Sequence, residues 1–260
     1  MIVDCHTHVN RVGGDVLPSE YFGAAENVNV CIVLAGVDDD SERVNKELAE
    51  YISKYKEKMV GFAFLDPTKD KTRVKDLTFI REKLGLEGIV LHCSSCGFHP
   101  AHSEAMMFYD SAQEVRLPIF FHNGYPAESY AVLDYAQPFL LDEVARTFPD
   151  LKIVIGSMGT PFVEQTLLMV AKHENVYADL TIKPGNIWQV YNVVMAAHEH
   201  GVMNKLLFGS GYPFGKASAC METLLGFNKL LGDTDLPTVP RGNIQDVIER
   251  KTLELLGIRG

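Results

Sequence analysis

The chain opens MIVDCHTHV, which sets His6 and His8 two residues apart with Asp4 two before them. In an extended strand alternate side chains leave the same face, so Asp4, His6 and His8 share a direction and the two imidazoles lie side by side. Imidazole suits zinc, iron, nickel and similar divalent ions, and a strand fixes two ligands more rigidly than a loop does. Two imidazoles alone do not make a site. The same pair is equally well two ordinary polar residues near a terminus, and ligands from distant segments decide between the two.

What must carry such ligands is visible in the patterning. Short apolar runs at 2–7, 30–35, 60–64, 88–92, 118–122, 153–155, 176–179 and 206–209 read as strands. Between them, 41–54, 71–84, 103–115, 139–148, 162–173 and 188–200 repeat apolar residues at three and four, the period of a helix with one buried face. Ser41, followed by acids and then Val44, Leu48 and Ile52, reads as a helix start with its N-cap. Strand then helix, eight times over, predicts an α/β protein with a single (β/α)8 TIM barrel over residues 1–260. The apolar positions of 244–256 predict a C-terminal closing helix. An open doubly wound sheet is the rival, but histidines stand where its glycine-rich dinucleotide loop would follow the first strand.

Barrels of this kind keep reactive groups where their strands end. Here the first strand ends in His6 and His8, the fourth in His92 and Cys93, the fifth in His122 and Asn123, the sixth in Ser157, the seventh in Asp179 and the eighth in Ser210, Gly211 and Tyr212. His6, His8 and His122 then converge on one axis as candidate metal ligands. The segment CSSCGFHPAH, from Cys93 to His102, repeats a thiol or imidazole, but its ligand pairs stand closer than in a structural zinc site. Nor does it open a helix after the first strand, as a redox Cys-x-x-Cys pair does. Tyr125, Tyr130, Trp188, Tyr212 and Phe214 read equally as mouth lining and as core.

Composition narrows the function classes. The 260 residues are 47% hydrophobic and 22% charged, with a formal charge of -10 at pH 7, so a nucleic-acid or anionic-membrane partner is not expected. Five cysteines, an odd number scattered through the chain, predict reduced thiols. No apolar run approaches the roughly 18 residues of a membrane span and no basic-then-apolar leader is visible, so a cytoplasmic protein is expected.

The chain resembles the amidohydrolase-related family of metal-dependent barrels, the branch that holds aminocarboxymuconate-semialdehyde decarboxylase and related aromatic-acid decarboxylases beside many hydrolases. The resemblance rests on DCHTH (Asp4 to His8), FAFLDP (Phe62 to Pro67), GIVLHCSSCGFHP (Gly88 to Pro100), IFFHNG (Ile119 to Gly124), PFLLDEVARTFPDLKIVIGSMG (Pro138 to Gly159), ENVYADLT (Glu174 to Thr181) and LLFGSGYPFG (Leu206 to Gly215). It implies one divalent metal ion, zinc above all, on His6, His8 and His122, and a small, carboxylate-bearing substrate that is hydrolysed, with decarboxylation the alternative. The loop with Cys93 and Phe98, together with Asn123 and Tyr212, is then expected to line the substrate, and a homodimer is implied.

Two departures fall on the chemistry. Relatives usually end the sixth strand in Gly-His-x-Gly, where this chain has Ser157, and carry Gly-Ser-Asp-x-Pro on the eighth, where it has Gly211. Val90 stands where many relatives carry a bridging lysine, which disfavours a binuclear site. The candidate catalytic residues are Asp179, His92 and Ser157; since the Ser157 hydroxyl cannot take a proton near pH 7 as the usual histidine does, proton transfer would fall to Asp179 or His92. The same departures raise the alternative of a catalytically impaired barrel that only binds.

Overall fold

The computed structural model describes residues 1–11, 14–15, 18–122 and 128–259. Its main sheet is the predicted barrel. Eight strands, β1 (Val3–Thr7), β2 (Val30–Leu34), β3 (Met59–Phe64), β4 (Leu86–Leu91), β5 (Ile119–Phe121), β6 (Ile153–Ile155), β7 (Val176–Thr181) and β8 (Leu206–Gly209), lie in sequence order and all pair in parallel. The seam between first and last strand closes just beyond β8: Thr7 bridges Tyr212, Gly211 N donates to His6 O at 2.9 Å and His8 N donates to Tyr212 O at 2.8 Å. These bonds flank His6 and His8, so closing the barrel and fixing the two imidazoles are one event. Among the described residues, no helix is long and apolar enough to cross a membrane.

Each strand hands on to a helix, as the alternation requires, from Ser41–Ser53 behind β2 to Ala217–Leu225 behind β8. Details differ from expectation for physical reasons. The cap of the Ser41–Ser53 helix is Asp40, whose carboxylate accepts Arg43 N at 2.9 Å, while the Ser41 hydroxyl donates to Asp70 Oδ1 at 2.7 Å. The segment expected as one helix over 139–148 begins as a 3-10 turn, Pro138–Leu141, before the α-helix Asp142–Thr147. The closing helix is two helices, Arg241–Ile248 and Thr252–Leu256. Their break lets Arg250 turn under the barrel, where its Nε donates to Leu206 O at 2.8 Å and Nη2 to Met203 O at 3.1 Å. A small antiparallel hairpin, Asn10–Arg11 with Gly14–Asp15, follows β1 and has no counterpart in the strand–helix alternation.

The barrel interior alternates very large with very small. A Cβ on Gly88 would lie 2.5 Å from the Phe62 ring, and one on Gly156 would lie 2.7 Å from Phe120 Cε1, so both phenylalanines occupy space that glycines leave. Phe120 is buried and its ring meets His6 edge-on with centroids 5.2 Å apart, forming an apolar floor for that imidazole.

Beneath the sheet, buried Asn175 donates through Nδ2 to Phe148 O and Leu151 O at 3.0 Å each, tying the start of β7 to the turn that feeds β6. Removing that amide strands buried carbonyls. Asn175→Ala is expected to lower unfolding stability by about 2–4 kcal/mol. Urea denaturation checks this, and a shift below about 0.5 kcal/mol would contradict it.

Candidate metal centre

The three histidines meet. The ring centroids of His6 and His8 are 5.3 Å apart, those of His6 and His122 5.0 Å and those of His8 and His122 5.2 Å, a nearly equilateral triangle assembled from β1 and the residue after β5. One nitrogen from each lies within 4.8 Å of the others. Tetrahedral zinc with bonds near 2.1 Å sets its nitrogens about 3.4 Å apart, inside the spacing found here.

Hydrogen bonds settle which nitrogens face the centre. His8 Nδ1 lies 3.0 Å from Leu34 O, a carbonyl that only accepts, so Nδ1 carries the proton and Nε2 keeps its lone pair. His6 Nδ1 lies 2.5 Å from Asp179 Oδ2, which fixes the same tautomer. His122 Nδ1 is buried with no hydrogen-bond partner, an orphan that a cation would satisfy. Burial holds the His122 ring well below the ordinary imidazole range and lowers His8 to about 3, with the neighbouring rings adding to both shifts. Neutral imidazoles are what a metal requires, so the donor set fits a divalent ion.

Asp179 is fully buried and serves His6. Besides His6 Nδ1 it accepts Ser157 N on Oδ2 at 2.9 Å, the Thr181 hydroxyl at 2.7 and 2.8 Å, and the Cys5 thiol on Oδ1 at 3.7 Å. Cys5 and His6 are consecutive, and strict alternation would keep them on opposite faces. An irregularity in the β1–β2 register between Asp4 and Thr7 lets both reach one carboxylate. Gly209 is the cradle for this arrangement, since a Cβ there would lie 2.1 Å from Asp179 Oδ1 and 2.9 Å from His6 Cβ. Asp4 stands apart from the triangle: its Oδ1 accepts Ser210 N at 2.9 Å and His6 N at 3.3 Å, clamping β1 to the end of β8.

The other sequence candidates are distributed around this centre. His92 is buried against His122, centroids 4.5 Å apart, with Nε2 3.4 Å from Ala35 O, and burial lowers it to about 4. Ser157 reaches the centre through its backbone N–H, on a left-handed turn in which Ser157, Met158 and Gly159 have φ of 50°, 53° and 61°. Cys93, its thiol pushed up by burial, faces a small cavity shared with His122 and Tyr135, and Phe98 is buried beyond it. Tyr212 sets its ring edge-on against Tyr21, centroids 5.1 Å apart. Asn123 and Tyr125 lie outside the described residues. Thr181 was not among the candidates, although it shares the Asp179 face of β7 by simple alternation; its Oγ1 lies 3.1 Å from His6 Nδ1.

Two outcomes follow. Asp179→Asn removes the charge that holds the proton on His6 Nδ1, and zinc affinity measured by competition with a chelating dye is expected to fall about 10- to 100-fold, an unchanged affinity contradicting the role. A ring with a folded pKa near 4 and an ordinary unfolded value takes up its proton on unfolding, so His92 lends stability at neutral pH that is lost as pH falls from about 6.5 through 4. The metal-free melting temperature should therefore decline less steeply over this interval in His92→Gln than in the parent chain.

Comparison with known proteins places the geometry in a family. No sequence among curated proteins matches the chain. Solved structures do. A probable 2-pyrone-4,6-dicarboxylic acid hydrolase from Acinetobacter baumannii, with citric acid bound, superposes with a TM-score of 0.66 at 15% identity over 99% of each chain. The 5-carboxyvanillate decarboxylase from Sphingomonas paucimobilis gives 0.70 at 12% identity over 99% of each chain. A dihydroxybenzoic acid decarboxylase from Polaromonas with bound manganese and 2-nitroresorcinol gives 0.65 at 15% identity over 98% of this chain and 96% of that one. At such identities these likenesses speak for the fold, while the amidohydrolase family profile matches residues 3–243, nearly the whole sequence. The chain belongs to the amidohydrolase family.

Proposed function

We propose that the chain is a metal-dependent hydrolase that acts on a small, carboxylate-bearing organic substrate, with one divalent ion, zinc, held by His6, His8 and His122. The observation that carries this is the triangle of imidazole rings, two of them held through Nδ1 by Asp179 and Leu34 O, which turns Nε2 inward. A divalent ion bound there supplies Lewis acidity, polarising a carbonyl and easing the ionisation of water. Because all three donors are uncharged, the centre keeps its full positive charge, which favours an anionic substrate group such as a carboxylate.

The chain's own groups divide the remaining work. Asp179 holds the proton on His6 Nδ1, and Ser157 steadies Asp179 through its backbone N–H. His92 is neutral at pH 7 and adjoins His122; its Nε2 faces the Ala35 carbonyl, which leaves Nδ1 to receive a proton. A decarboxylase would use the same centre, and relatives of similar fold are named for either reaction.

A second reading, a barrel that binds without turnover, is favoured by one observation. Gly211 stands where the resemblance expects an aspartate, its φ is 65°, and a Cβ there would lie 2.8 Å from Thr181 Cγ2, so a side chain at this position would need Thr181 to shift and a backbone conformation that favours glycine.

Purified protein is expected to carry about one zinc per chain, in keeping with a three-histidine site, and His122→Ala to lose it. Turnover of a panel of lactones, amides and aromatic acids in oxygen-18 water separates the cases. Label in the product marks hydrolysis, unlabelled product with carbon dioxide release marks decarboxylation, and inertness of the zinc-loaded chain towards the whole panel supports the binding barrel.

A further inference from the structure

A cavity of about 190 Å³ opens beside His8, between the end of β2 and the helix Ser41–Ser53. Leu34, Ala35, Val44 and Leu48, all buried, supply aliphatic walls. Gly36 also lines it, and a Cβ built on Gly36 meets nothing within 4 Å, so the space beside it is open. The one charged side chain on the lining is Glu47, whose carboxylate is 58% exposed and is gripped by Arg43 Nη1 at 2.9 and 3.1 Å.

We propose that this cavity receives the apolar body of the substrate, and that the chain selects compact monocarboxylates over dicarboxylates. The proposal rests on the metal centre of the preceding subsection, since His8 belongs to both: a carboxylate held at the histidines directs the rest of the molecule past His8 into the aliphatic walls. Size agrees, because a dry cavity of roughly 150 Å³ already holds a benzene ring. Charge agrees too. A second carboxylate would arrive beside Glu47, already paired with the neighbouring arginine, and no lysine or arginine among the described residues lines the cavity to offset its lost water.

The test has a metal-free arm and a metal-loaded arm. Titration of the metal-free chain with benzyl alcohol, followed by nitrogen-15 NMR, is expected to shift the Gly36 amide saturably. Gly36→Val fills the open space and abolishes the shift with an unchanged unfolding midpoint, and Gly36→Ala, the milder filling, weakens it. On the zinc-loaded chain, calorimetry is expected to find benzoate at least about tenfold tighter than acetate and terephthalate about tenfold weaker than benzoate. A silent Gly36 amide in the parent chain, benzoate no tighter than acetate, or terephthalate as tight as benzoate overturns the proposal. Failure to take up zinc with a responding Gly36 instead overturns the hydrolase reading and the choice among carboxylates that rests on it, and upholds the cavity as the seat of an apolar group.

Discussion

The structure depends on bringing three imidazoles together at one end of the barrel, with one nitrogen of each turned to the same point. Burial alone favours neutral rings but does not say which nitrogen carries the remaining proton. That choice comes from Asp179 at His6 and from the Leu34 carbonyl at His8. Both partners belong to the barrel wall, where Leu34 pairs with Phe62 and Asp179 with Leu207 in parallel ladders. His122 has no such partner, and its orphaned Nδ1 is where the polar accounting is completed by something other than protein.

The barrel serves this constraint in its details. The seam is closed by bonds to the backbones of His6 and His8, Gly209 gives Asp179 the space to approach His6, and Phe120 fills the floor above the space that Gly156 leaves. Movement of β8 relative to β1 would therefore disturb His6 and His8. Ser157 and Gly211 both occupy left-handed conformations, so the turns that follow β6 and β8 are tightly bent where they pass the site.

Much of this was legible from residue types and spacing. The alternation of apolar runs with helical periods predicts eight strands and their order, and the positions of His6, His8 and His122 at strand ends predict that the three rings meet. What the pattern could not supply falls into three kinds. Backbone groups are silent in sequence, so the Leu34 carbonyl and the Ser157 N–H had no signal. Irregular register is equally silent, and the slip in β1 is what lets Cys5 join His6 at Asp179. Long-range tethers override local periodicity, as Arg250 does in breaking a tail that reads as one helix. Thr181 is different: it lay two residues from Asp179 on the same face and was within reach of the same reasoning.

The central claim is that these three rings grip a single divalent ion, and anomalous diffraction at the zinc edge from zinc-soaked crystals tests it most directly. The account predicts one strong peak about 2.0–2.1 Å from a nitrogen of each of His6, His8 and His122. Absence of a peak at that triangle in crystals that have bound zinc elsewhere, or rings turned away from one another, would contradict it.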